Sequence, residues 1–380
     1  MIRFRPAMLT GAEEALRAEV REFLATHLPW GTYRPNLGMV TTHAPAFSAA
    51  LAERGWVGMA LPARYGGHDR TNVERFVVIE ELLAAGAPVS AHWIADRQVG
   101  PAILRYGTEE QRQRFLPEIA AGRCWFSIGM SEPDSGSDLA AVRTSAARVD
   151  GGWLVNGTKL WTSGAHVNHY ALVLCRTGAP GGDRHEGLSQ LVVDLGGRGV
   201  AIRTITSLDS SRHFNEVVLQ DVFVPDQMLL GELGAGWQQV TAELAHERAG
   251  PDRYLSTLPL LRVYFDELRP DLTRADLAEV ARLIAMYRGV REMSLSVARQ
   301  LDEGRVPAIE AALVKDLGTA LEQEVVEVIR RLARTQASPD AESMFGQLLA
   351  QAIMSAPTFT LRGGTSEILR MIVARQLVAP

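Results

Sequence analysis

The chain has 380 residues, 47% of them apolar and 22% charged, with 39 Lys plus Arg against 44 Asp plus Glu for a net charge of −5. That length is ample for two or three domains with sizeable cores, and the slightly acidic balance argues against a nucleic-acid binder that works by counterion release. Two cysteines, Cys124 and Cys175, cannot form a disulfide framework and fit a reducing, cytoplasmic setting.

From the N-terminus, Met1 to Leu16 lacks an apolar leader core and turns acidic at Glu13 and Glu14. Ala12 to Leu28 then predicts a helix, with apolar positions at Ala15, Leu16, Val20, Phe23 and Leu24. Pro62, Gly66, Gly67 and Pro88 mark connections, and Asn72 to Ala85 repeats the helical period through Val73, Phe76, Val77 and Leu83 behind a Thr71 cap. From about 121 the period becomes two. Asp150-Gly151-Gly152 is a hairpin-type turn before Trp153-Leu154-Val155. Tyr170 to Leu174, Leu191 to Val193, Val217 to Leu219 and Val222 to Val224 read as separate short strands. After Gly236 long amphipathic helices return over Trp237–Arg248, Leu277–Leu301, Ile309–Ala333 and Met344–Ala356. The uncharged stretch from Ser343 to Leu361 carries Gln347, Gln351, Ser355, Pro357, Thr358 and Thr360, so it reads as a buried helix ending near a proline, and no membrane insertion is expected. No internal repeat is visible. The expected fold is α+β and mostly helical: an N-terminal helical domain over 1–120, a middle β domain over 121–228 and a C-terminal helical bundle over 229–380.

Four segments carry candidate chemistry. Ser131-Glu132-Pro133-Asp134-Ser135-Gly136-Ser137-Asp138 would expose backbone N–H groups to a polar, planar ligand or a phosphate, although its composition alone favours a plain turn. Asn156 to Gly164 includes Trp161-Thr162-Ser163, an indole and hydroxyl donors suited to a flat heteroaromatic ring, or else a hairpin with a core tryptophan. On the helix ending His246-Glu247-Arg248, Trp237, Val240 and Leu244 make an inward face, and Glu247 lies three residues beyond Leu244 on that face. A carboxylate there is desolvated, which strengthens it as a base, with Arg248 as a neighbouring cation; a structural Glu–Arg pair would look the same. Arg362-Gly363-Gly364-Thr365-Ser366-Glu367 places two glycines before a Thr365 cap, leaving N–H donors for an anion, or simply starting a helix. His166 and His169 lack a converging ligand set, so no metal is expected.

In this order, the four segments resemble the acyl-CoA dehydrogenase family of flavoproteins. Leu61-Pro62 through Tyr65-Gly66-Gly67, Tyr106-Gly107-Thr108-Glu109-Glu110-Gln111 with Phe115-Leu116-Pro117, and Val224-Pro225 with Leu230-Gly231-Glu232 extend the likeness over nearly the whole chain. The resemblance implies a C-terminal four-helix bundle, FAD as cofactor, and α,β-dehydrogenation of an acyl-CoA with electrons passed to an electron-transfer flavoprotein. It also implies roles. Met130 and Ser131 contact the flavin, Trp161 packs on its ring, Ser163 bonds near N5, Thr365 and Glu367 touch FAD, and Ser137 reaches the CoA. Many members carry the catalytic Glu immediately before the C-terminal Gly-Thr, where this chain has Gly363, whose N–H could still bond the thioester oxygen. A second group places the base just before the helix Arg, which here is Glu247 beside Arg248. The family's Arg-x-x-x-Phe-Gly and Gln-x-x-Gly-Gly segments, which hold a neighbour's FAD in homotetramers, are not clear in 249–300 or 330–350. The chain is therefore expected to bind FAD weakly alone or to borrow those contacts from a different subunit; the expected partners are a homo-oligomer or an α2β2 assembly with a second subunit of the same family. An oxygen-using flavin oxidase or monooxygenase, and a non-catalytic partner subunit, are the competing readings.

Overall fold

The computed structural model describes residues 2–38, 42–178, 183–268, 272–333 and 336–378, apart from the side chains of 242–247 and 376–378. The chain forms two compact units, one of Met1–Met39, Thr71–Ala87 and Ala245–Pro380, the other of Val40–Arg70 and Pro88–Leu244. In chain order the helices are α1 (Gly11–His27), α2 (Pro45–Glu53), α3 (Asn72–Ala84), α4 (Ser90–Ile94), α5 (Gly100–Tyr106) and α6 (Glu109–Ala120). Strands β1 (Phe126–Gly129), β2 (Ser145–Val149), β3 (Gly152–Lys159), β4 (Tyr170–Arg176), β5 (Leu188–Asp194), β6 (Val200–Ile205), β7 (Phe214–Pro225) and β8 (Leu229–Leu230) follow. Then come α7 (Gly236–Glu247), α8 (Leu258–Leu268), α9 (Arg274–Asp302), α10 (Ala308–Leu332), α11 (Met344–Ser355) and α12 (Ser366–Val378). The fold is thus α+β, with a sheet between N- and C-terminal helical regions, as expected.

Local sequence decides several helix starts. Thr10, Thr71, Thr108 and Thr273 each accept the N–H of the residue three on, and Glu13, Glu74, Gln111 and Asp276 reach back to the cap N–H. Each box satisfies two donors that would otherwise have no helical partner. The inward face of α1 differs from expectation at one position: Ala15 is exposed, and Glu13 is buried with Leu16, Val20, Phe23 and Leu24. Besides its capping role, Glu13 receives Arg299 at 2.7 and 2.5 Å, which compensates its burial. Arg17 and Arg21 of α1 pair with Glu80 and Glu81 of α3, and Arg291 of α9 also binds Glu80, at 2.6 Å.

In the other unit the strand order is β6-β7-β3-β2-β4-β5-β8, with β1 also on β4. The two-residue turn Asp150-Gly151 joins β2 to β3, with Val149 opposite Gly152 and Gly151 at φ +70°, as the turn residues predict. β4 and β5 are almost continuously buried because both faces are covered. Ile103, Phe115, Leu116 and Ile119 share a core with these strands, and Val142, Val240 and Trp237 pack with Leu174 and Leu188.

The runs expected as two strands, Val217–Leu219 and Val222–Val224, are one strand interrupted by a bulge. Val155 faces Val222 while Gly157 faces Leu219, so β7 holds one residue more than β3 in that interval. The inward set changes from Asn215, Val217 and Leu219 to Val222 and Val224. Asp221 sits at φ +48°, and Asn156 both accepts its N–H at 2.9 Å and donates to its carboxylate at 3.0 Å. A bulge re-aims side chains by one residue in this way.

β1 and β2 lie end to end on the same edge of β4: β1 pairs along Tyr170–Val173, β2 only at Arg176. The segment between them, residues 130–144, grows out of that split.

Candidate active site

The first candidate segment is anchored at its root by a buried ion pair. Lys159, at the end of β3, is 0% exposed and donates to Glu132 at 2.8 Å and to the Met130 carbonyl at 3.1 Å. The Glu132 carboxylate also accepts the Arg143 N–H at 2.7 Å, the Thr144 N–H at 2.9 Å and the Thr144 hydroxyl at 2.5 Å. Burial alone would push this carboxyl up, but the Lys159 charge and these bonds outweigh it and hold it below the usual range. Leu160 N–H donates to the Ser131 carbonyl at 2.8 Å, so the loop root is tied to the strand that carries Trp161. Met130 packs against the core of Val142, Leu174, Leu188 and Val240. Ser137, farther out on the loop, is exposed.

Trp161 has φ +59°, an uncommon backbone for a bulky residue, and its side chain is 53% exposed. The turn is held in that shape from the start of β7. Thr162 N–H donates to the Asn215 carbonyl at 3.0 Å, Asn215 Nδ2 returns a bond to the Thr162 carbonyl at 2.9 Å, and Gly164 N–H donates to His213. The indole meets Phe214 edge-on, with ring centroids 5.7 Å apart. Burial pushes His213 down to about 4, so it stays neutral. Thr162 Oγ1 is buried without a hydrogen-bond partner. Among the described residues, nothing accepts the N–H groups of Ser131 or Ser163. An exposed flat indole with unspent N–H and hydroxyl donors beside it suits a heteroaromatic ring bearing carbonyls and ring nitrogens.

Of the remaining candidates, Leu244 and the start of α7 belong to the sheet unit, and those from Glu247 onward to the other unit. Trp237 and Val240 of α7 face inward as the spacing requires. The side chains of Leu244 and Glu247 lie outside the described residues; Glu247 itself is the last residue of α7. Arg248 directly follows it, is 8% exposed, and donates from Nε to the Gly363 carbonyl at 3.2 Å. Gly363 and Gly364 adopt φ +67° and +96°, the left-handed region that side chains disfavour. Among the described residues, nothing accepts the Gly363 N–H. Thr365 caps α12 as expected, accepting the Ile368 N–H at 3.4 Å, and Glu367 is exposed in the first turn. Hydrogen bonds to its own backbone N–H and to Thr365 hold the Glu367 carboxyl below its usual range.

The structure thus gathers Met130, Ser131, Trp161 and Ser163 around one strand end, with Ser137 on the same loop, and Arg248 with Gly363, Gly364 and Thr365 around another segment. Sequence reasoning missed the partners that hold them. Lys159 and Glu132 were visible only as loop residues, although Lys159 keeps the inward parity of Trp153 and Val155. Arg253, Lys315, Thr319 and Glu322, all buried around residues 359–363, gave no local signal beyond polar residues spaced on an otherwise apolar helix face. His169, weighed as a ligand, accepts the Trp125 N–H at 3.1 Å and stacks on that indole at 4.7 Å. The thiols of Cys124 and Cys175 are both pushed up to about 12 by burial and are therefore unreactive.

The family profiles for the acyl-CoA dehydrogenase N-terminal, middle and C-terminal domains match residues 10–123, 127–222 and 272–378. Acyl-CoA dehydrogenase FadE29 of Mycobacterium tuberculosis is 30% identical over 98% of this chain and 98% of its own length. The chain belongs to the acyl-CoA dehydrogenase family. It is an oxidoreductase of the kind that acts on acyl-CoA, in a family that depends on flavin. Acyl-CoA dehydrogenase FadE34 of the same organism is 32% identical over 87% of this chain, and there the match spans 45% of the longer protein. Among solved structures, one described as the Tcur3481-Tcur3483 steroid ACAD superposes with a TM-score of 0.86 at 28% identity, covering 98% of each chain. The ChsE4-ChsE5 complex from Mycobacterium tuberculosis gives a TM-score of 0.82 at 29% identity, covering 99% of this chain and 100% of that one. No described helix of this acyl-CoA dehydrogenase is long and apolar enough to cross a membrane.

Proposed function

We propose that the chain catalyses FAD-dependent α,β-dehydrogenation of an acyl-CoA thioester and passes the electrons to an electron-transfer flavoprotein. Glu247 takes the α-proton. The Gly363 N–H donates to the thioester oxygen, where negative charge develops as that proton leaves, and Arg248 keeps the glycine's carbonyl turned away. The β-hydrogen would leave as hydride, for which bound FAD would supply the acceptor. Met130, Ser131, Trp161 and Ser163 are the residues we assign to its ring, Thr365 and Glu367 to the rest of it, and Ser137 to the CoA.

One observation carries the reading: the Gly363 backbone is forced into the left-handed region with its carbonyl engaged by Arg248 and its N–H unspent. A donor held in advance at the point where charge appears is worth far more than one that must reorganise. The unspent donors beside the exposed Trp161 indole support flavin on the other unit. Steroid and paired-subunit names among the neighbours motivate two finer proposals: a bulky side-chain thioester as substrate, and assembly with a second subunit of the same family.

The test is anaerobic bleaching of the purified, FAD-loaded chain by straight, branched and steroid side-chain acyl-CoAs, alone and with candidate partner subunits. Bleaching followed by reoxidation through an artificial acceptor is the expected result. Failure with every thioester and every partner would remove the proposal. Turnover with oxygen but not with the artificial acceptor would instead make the chain an oxidase.

A further inference from the structure

One face of α10 carries four residues unlike the rest of the helix: Lys315, Gly318, Thr319 and Glu322, spaced so that all point the same way. All are buried; Lys315 and Glu322 are 0% exposed and Thr319 is 1% exposed. Burying two ionisable side chains on one helix face is costly unless their partners are fixed. Those partners lie on two chain segments. Lys315 and Thr319 both donate to the Phe359 carbonyl, at 3.0 and 3.3 Å. Glu322 accepts the Ser256 N–H at 2.9 Å with one oxygen and pairs with Arg362 at 2.7 Å with the other. Arg362 in turn donates to Ser256 Oγ at 2.8 Å and to the Asp252 carbonyl at 3.2 Å. Gly318 lets the first segment come close: a Cβ there would lie 2.5 Å from the Arg253 carbonyl oxygen.

The two segments are those of the bundle site. Residues 252–256 lead on from Arg248, and residues 359–362 lead into Gly363. Arg248 closes the ring by donating to the Gly363 carbonyl. The orientation of the Gly363 N–H is therefore set by two anchors, Arg248 on one side and Arg362 on the other, and Glu322 is the carboxylate that neutralises the second anchor and, alongside the direct bonds of Arg362 to Ser256 and Asp252, holds it to the first segment.

We propose that Glu322 is a positioning residue for the reaction: from the buried face of α10 its carboxylate ties Arg362 to the Ser256 amide and so aims the Gly363 N–H. The inference rests on the assignment of that N–H to the thioester oxygen. Glu322 does not touch the substrate; it acts through Arg362 and Gly363.

The test uses the FAD-loaded full chain and the acyl-CoA that the wild-type chain turns over fastest. Two variants are compared, Glu322→Gln and the double variant Glu322→Gln with Arg362→Gln. The first keeps the size and the acceptor for Ser256 but leaves Arg362 charged and unmatched. The second removes both charges and restores neutrality to the buried site. Exchange of the substrate α-hydrogen with deuterated water, followed by NMR, reports proton abstraction. Melting temperature and thioester affinity are read alongside. The expected result is that exchange and kcat fall by about 10- to 100-fold in both variants, with KM changed less than about 3-fold, while the double variant regains most of the melting temperature lost by the single one. If exchange recovers together with the melting temperature, or if neither variant loses activity, Glu322 has only a structural part and the inference is overturned. If the wild-type chain turns over no thioester, the assignment of the site itself fails and takes this inference with it.

Discussion

A Cβ placed on Gly363 would lie 3.0 Å from the guanidinium carbon of Arg253, a side chain that is itself 1% exposed. The volume that a side chain at 363 would need is therefore already filled, and φ +67° adds strain to any replacement. Arg253 is paired with Asp252 at 3.0 Å, so it has no freedom to withdraw cheaply. In the proposed reading, a base at Glu247 and an arginine filling this space are two sides of one arrangement.

Gly363→Glu is consequently expected not to rescue Glu247→Gln. The new carboxylate would face Arg253 and ionise against it, and the backbone would resist. Steady-state kcat of the double variant should stay at the level of Glu247→Gln, with stability lowered by roughly 1–3 kcal/mol. Recovery of more than a few per cent of wild-type kcat would contradict this.

Glu247→Gln alone should lower kcat by at least about 100-fold, since a positioned general base contributes that much or more. Flavin binding, followed by absorbance after gel filtration, should be unchanged. A variant that keeps full dehydrogenation would return the chain to the role of a non-catalytic partner.

Lys159→Met should be among the most damaging substitutions in the sheet unit. It strands the Glu132 carboxylate, whose side chain is 7% exposed, without its cation. Removing one partner of a buried pair costs roughly 3–5 kcal/mol. Adding Glu132→Gln should return much of that loss, because a neutral amide can still accept from Arg143 and Thr144. Urea unfolding of the three proteins measures both effects, and an uncompensated double variant would refute the argument.

His92 gives an acid limb to stability. It is 5% exposed, shares a 2.7 Å hydrogen bond with Ser48, and is pushed down to about 4 by burial. The unfolded chain protonates this ring near 6.5 while the folded chain does not. Its stabilisation is thus complete above 6.5 and is lost as pH falls from 6.5 to about 4, by roughly 3 kcal/mol at most. His92→Gln should flatten that part of the stability profile; an unchanged slope would remove His92 as its source.

Lys315 acts in the opposite pH range. Burial, with Arg253 and Arg362 nearby, brings its amine down to about 7. Above 7 the folded state releases a proton that the unfolded chain keeps until about 10.5. Stability should therefore rise with pH across that interval, by up to roughly 1 kcal/mol per pH unit. Lys315→Met should lose this rise relative to wild type in thermal melts at pH 7, 8 and 9.

Much of the fold was legible because its signals are local. Periodicity located α1, α3, α9, α10 and α11 to within a few residues, and Asp150-Gly151 marked the β2–β3 turn. The strand reading failed at Val217–Val224 because a bulge changes parity without a break, and only the partner strand reveals the extra residue. Helix α8 was not anticipated. The motifs around Trp161 and Gly363 stood out by residue type, yet what holds them did not. Glu132 meets Lys159 across 27 residues, Ser256 meets Glu322 across 66 and Arg248 meets Gly363 across 115, and no local pattern encodes such pairings.

The threonine boxes at the starts of α1, α3, α6 and α9 have one more implication. Each marks where its helix begins with hydrogen bonds inside four consecutive residues, so losing one of these threonines would loosen a helix start without touching any distant contact.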